Sequence, residues 1–158
     1  MKKSDWYKHL LNRVDEAIEN EYYFEASFIC YGIIEDRLNS MMKKNKLKIG
    51  FKGVAKKIKD LVKINENSFE QAFFLKNWNS GEYQDKGVFQ DILSWGEIYR
   101  KPMQHSLGDP KEYKATIGDF HTENSRDMAI EGKRVARELS ASIMRWKKIK
   151  KKELKVLT

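Results

Sequence analysis

Apolar residues recur at helical spacing along most of the chain, and no segment shows the valine-rich alternation of a half-buried strand. Trp6, Leu10, Val14 and Ile18 follow at four-residue intervals behind Ser4, a candidate N-cap, so the spacing predicts a helix over residues 5–20. Over residues 22–44, Tyr23, Ala26, Cys30, Ile33, Ile34, Leu38 and Met41 form an apolar stripe, with Glu25, Glu35, Asp36 and Arg37 at other positions. This is the strongest helical pattern in the chain.

Gly50 and Gly53 mark a loop, after which Val54, Ile58, Leu61 and Val62 predict a short third helix that ends at Asn65-Glu66-Asn67-Ser68. Ser68 can cap another short helix through Phe69, Ala72, Phe73 and Lys76, before turn residues at Asn77-Trp78-Asn79-Ser80-Gly81. Val88, Ile92, Trp95 and Tyr99 carry helical spacing toward Arg100, although Gly87 and Gly96 weaken the local propensity. Gly108-Asp109-Pro110 is a strong break, and the pattern from Lys111 to His121 is ambiguous. From Thr122 onward, Met128, Ile130, Val135, Leu139, Ile143 and Trp146 predict a long last helix. The expected fold is an all-α helical bundle with a long C-terminal helix, forming a single domain over residues 1–158.

Charge and composition narrow the classes. No stretch approaches the roughly 18 consecutive apolar residues of a membrane span, and Met1-Lys2-Lys3-Ser4 leads into an amphipathic segment rather than a signal sequence. The expectation is a cytoplasmic protein. Cys30, the single cysteine, lies in an apolar run and reads as a small buried hydrophobe rather than a catalytic thiol. His9, His105 and His121 are far apart and lack zinc-site spacing, so neither a metal nor a cofactor is expected.

The net charge of +8 favours polyanionic partners, RNA among them. It is dense in the basic helix end at 145–158, where Arg145, Lys147, Lys148, Lys150 and Lys151 are candidate RNA-binding residues. The same segment reads first as a solvated helix end, ahead of a dedicated nucleic-acid stripe, with an interfacial membrane contact in third place.

Arg100 and His105 enclose four residues in Arg100-Lys101-Pro102-Met103-Gln104-His105. Arginine holds phosphate through paired hydrogen bonds and histidine moves protons near neutrality, a combination suited to phosphodiester chemistry on RNA. In a continuous α-helix the two would diverge by roughly 140° and 7.5 Å, but Pro102 disfavours helical geometry at Lys101 and allows both into one cleft. Against this stand plainer roles: a capping or salt-bridging Arg100, and a His105 that satisfies a buried carbonyl. Glu35 and Asp36 are candidates to orient the pair, as are Lys101 and Gln104 to join it, and Tyr99 to stack on a base. Glu25 is a further polar candidate that ranks with Lys101 behind the others, and the tryptophans at helical spacing read as core.

With the following Ser106-Leu107-Gly108 and the helical organisation, the Arg-x4-His segment resembles the HEPN superfamily of small helical bundles. The resemblance implies metal-independent RNA cleavage by 2′-hydroxyl attack, in a homodimer whose two motifs form one composite site. It also implies toxin–antitoxin or phage-defence roles, with an antitoxin or other protein partner. Other members of that superfamily are noncatalytic and bind RNA or proteins. The polar residue common after the family's arginine is Lys101 here, a departure that bears on catalysis more than on fold.

Overall fold

A computed structural model describes residues 2–64, 87–100 and 124–156, of which 87% are helical and none lies in a strand. The protein is therefore all-α, as its apolar periodicity predicts. The helices are α1 (Lys3–Glu19), α2 (Tyr23–Lys44), α3 (Val54–Ile64), α4 (Gly87–Trp95) and α5 (Ser125–Val156), with a π-helical turn at Gly96–Arg100 after α4. The predicted helix over 68–76 and the break at Gly108-Asp109-Pro110 lie outside the described residues.

The chain divides into two compact units, residues 1–33 with 92–136 and residues 34–91 with 137–158. The first has a core of Tyr7, Val14, Ala17, Ala26, Cys30, Ile33, Ile92, Trp95, Met128, Ala129, Val135 and Ala136. Ile34, Leu38, Met41, Met42, Val54, Ile58, Leu61, Val88, Phe89, Leu139, Ile143 and Trp146 form the core of the second. Every α2 residue predicted to face inward is buried except Tyr23, which is half-buried.

Three local expectations are corrected. Helix α1 begins at Lys3 with Lys2 as its N-cap, so Ser4 lies inside the first turn and its hydroxyl contacts Asp5 instead of capping. Trp6 is exposed and stacks near His9, with ring centroids 5.6 Å apart, while Tyr7 takes the inward place. Four-residue steps overshoot a helical turn by about 40° each, so Trp6 and Ile18 point roughly 120° apart. Ile130 is likewise exposed, because it lies two positions, about 200°, from the buried Met128.

Helices α1 and α2 end in the same way. Tyr22 N–H donates to the Ala17 carbonyl and Glu21 N–H to that of Ile18, with Glu21 at φ 62°. Leu47 and Lys46 repeat the pattern onto Met42 and Lys43, with Lys46 at φ 57°. These are Schellman closures in which a left-handed residue lets two otherwise unpaired carbonyls find donors. Glycine suits that position best, yet both are long charged residues.

Candidate functional site

Arg100 is the last residue of the π-helical turn Gly96–Arg100. Glycine at position 96 removes the Cβ at the point where the ladder widens, and its weak helix propensity lowers the cost of leaving α geometry. Glu97 and Ile98 are exposed, and Tyr99 is half-buried. His105, Lys101 and Gln104 lie outside the described residues.

The turn starts from a fixed helix end. Trp95, only 3% exposed, donates its indole Nε1–H to the Met128 carbonyl at 2.9 Å. One turn later on α5 stands Gly132, where an added Cβ would meet the Trp95 ring at 2.9 Å. A helical carbonyl points toward the residue four positions on, so the missing side chain makes room for the indole and leaves the Met128 oxygen open to a second donor. In the same unit Lys133 pairs with Asp15, while Arg13 bridges to Glu25 at 2.7 Å. Cys30 is fully buried and burial pushes its thiol up to about 12, with Asp15 adding to the rise and Lys133 opposing it. The structure thus gives Cys30 the place of a buried hydrophobe.

Of the residues suggested to support the Arg100–His105 pair, Glu35 accepts a 2.6 Å bond from Lys57 Nζ, whose side chain is 2% exposed. A buried ammonium needs such a counter-charge. Asp36 is half-buried. Arg37, also buried, donates from Nε to the Ser140 hydroxyl at 3.3 Å.

The basic C-terminal segment continues α5 to Val156. Arg145 and Lys148 are exposed and Lys147 is half-buried; Lys150 and Lys151 lie on the same helix. Trp146 is core, as its spacing suggests, with Lys44 Nζ 5.8 Å from its ring centroid.

A larger concentration of charge went unread in the sequence. Residues 43–64 hold nine lysines and one acid, Asp60, a net +8 that equals the formal charge of the whole chain. By unit, residues 34–91 with 137–158 sum to +10 and the remainder to −2. The signal is the lysine count itself, which the apolar periodicity of a loop and a helix does not register.

Among the described residues, no group of three histidine, cysteine or acidic side chains is arranged to hold a metal ion, and no helix is long and apolar enough to cross a membrane. Comparisons with family models, curated proteins and solved structures return no match.

Proposed function

We propose that this chain is a HEPN-like, metal-independent endoribonuclease in which Arg100 and His105 act on an RNA phosphodiester. The supporting observation is that Arg100 ends a π-helical turn directly after the anchored Trp95, a geometry that recurs at functional sites. The all-α fold agrees with the same reading.

In the proposed reaction Arg100 holds the non-bridging phosphate oxygens and stabilises charge that develops on them. His105 takes the proton of the ribose 2′-hydroxyl, whose oxygen bonds to phosphorus as the bond to the 5′-oxygen breaks. His105 of the partner subunit in a homodimer supplies a proton to the leaving oxygen. The products are a 2′,3′-cyclic phosphate and a 5′-hydroxyl. A toxin or phage-defence effector, held in check by an antitoxin or other protein, is the setting that the HEPN resemblance implies.

Cleavage of RNA in chelator tests the proposal. Arg100→Ala and His105→Ala should each abolish it at unchanged helix content, and RNA lacking the 2′-hydroxyl should resist. Rates should respond between roughly pH 5 and 8, around the reference imidazole pKa of about 6.5. Undiminished cleavage by both variants refutes the assignment, and a strictly monomeric species at micromolar concentration refutes the composite site.

The second reading is a noncatalytic helical module that binds RNA or a protein. Lys101 at the position after Arg100 and the +10 charge of the second unit favour it. It predicts binding without turnover on any RNA.

A further inference from the structure

The loop between α2 and α3 ends in a bare aromatic ring. Phe51 is exposed to 114% of the reference area, whereas nearby Val54, Ile58 and Leu61 are buried and Ile49 is half-buried. The loop is braced: Gly50 turns the chain at φ +51°, and Lys52 Nζ bonds both the Lys48 carbonyl at 3.2 Å and Asp60 at 2.8 Å. Lys56 reaches the other Asp60 oxygen at 3.2 Å. The bond from Lys52 and that from Lys56 hold the Asp60 carboxyl below its ordinary range, so it stays ionised and its charge is matched by one lysine of the loop and one of α3.

Lysines flank the ring along the chain. Lys43, Lys46, Lys48, Lys59 and Lys63 are exposed and have no ion-pair partner among the described residues. On α3, Lys56, Lys59 and Lys63 fall on one face and span about 10.5 Å, opposite the buried Val54, Ile58 and Leu61. A partner for this surface needs repeated negative charge together with flat apolar faces.

We infer that the Phe51 loop and the lysine face of α3 form a binding site for single-stranded polynucleotide, in which Phe51 stacks on a base and the lysines follow the phosphates. Bases in a single strand can splay onto an aromatic ring, while those of a duplex are already stacked. A membrane surface fits less well, because stable interfacial binding scales with buried apolar area and only one ring is offered here. The bracing at Lys52 and Asp60 lowers the entropy lost when the tip engages a base. The site involves none of the residues assigned to RNA cleavage and stands whether or not the chain is a nuclease.

Fluorescence anisotropy with the full chain tests it, using labelled strands of about 12 nucleotides. One is 2′-O-methyl oligouridylate and the other oligothymidylate, neither of which offers a free 2′-hydroxyl for cleavage. Phe51→Ala should weaken binding about 5- to 150-fold, the range of one lost base stack, with an unchanged salt slope and melting temperature. Phe51→Tyr should restore affinity. Replacing Lys56, Lys59 and Lys63 together by glutamine should reduce the log–log salt slope by about 2. Binding to either strand supports the site, and binding to neither overturns it. Phe51→Ala binding within roughly twofold of the parent would overturn the inference. So would binding to phosphatidylserine vesicles without binding to either strand.

Discussion

Replacing Gly132 by alanine should destabilise the protein, although the same change improves an ordinary helix. Alanine gains about 1 kcal/mol over glycine in a helix interior. At position 132 the new Cβ would lie 2.9 Å from Trp95 Cζ2, 3.1 Å from Cε2 and 3.2 Å from Nε1, where ordinary contact begins at 3.4 Å. The indole must retreat by about half an ångström, yet it is buried and tied to the Met128 carbonyl. Overpacking costs about 1–3 kcal/mol, and a weakened indole bond adds about 0.5–1.5 kcal/mol. The net loss is about 0.5–3.5 kcal/mol, which for a chain of this length lowers Tm by roughly 1–14 °C. Gly32 provides the control. It is exposed in the middle of α2 with nothing within 4 Å of an added Cβ, so Gly32→Ala should raise Tm. Thermal unfolding of the two variants should give opposite signs, and a Gly132→Ala protein as stable as its parent would refute the reasoning.

Lys46→Gly should stabilise the chain by about 0.5–1 kcal/mol in urea titration, since relief of left-handed strain outweighs the added freedom of the unfolded backbone; a loss would contradict the Schellman assignment. Glu35→Ala should cost about 1–3 kcal/mol by leaving the buried Lys57 ammonium without its carboxylate, while Lys57→Met should be near neutral. Equal losses in the two variants would show that the lysine stem, not the charge, is what matters. Cys30 should resist Ellman's reagent at pH 8 until the chain unfolds. Its native thiol stays protonated to about 12 against an ordinary 9.0, so the unfolded chain binds fewer protons across that interval. This contribution to stability is therefore complete below about pH 9 and is lost as pH rises toward 12. Urea midpoints at pH 8 and 10.5 should fall further for the parent than for Cys30→Ala, and equal falls would remove the thiol from the alkaline response.

The α2 stripe was legible because its apolar positions alternate steps of three and four, which keeps them on one face. The α1 stripe, chosen at uniform steps of four, drifted around the helix and admitted Trp6 in place of Tyr7. The turn at Gly96–Arg100 was foreshadowed by a glycine in the pattern, but propensity alone does not distinguish a weakened α-helix from a π turn. The role of Gly132 was invisible, because it depends on an indole 37 positions earlier in the chain. Arg100 and the basic end of α5 are proposals that residue chemistry alone can raise. The Lys57–Glu35 pair could not be found that way, since it joins side chains 22 residues apart through the packing of α3 on α2.

The indole of Trp95 also sets an alignment. A helix of 32 residues with apolar positions every three or four can slide along its neighbours by one turn, about 5.4 Å, and still bury a stripe. Between Ser125 and Ala136, Gly132 is the one position without a Cβ, so one axial setting of α5 against Trp95 accepts the ring and offers it the Met128 oxygen. Moving the helix one turn toward its C-terminus would bring Met128 itself against the ring, and one turn the other way would bring Ala136. The notch therefore acts as a key that distinguishes the native register from its near neighbours, where apolar burial alone would rank them almost equally.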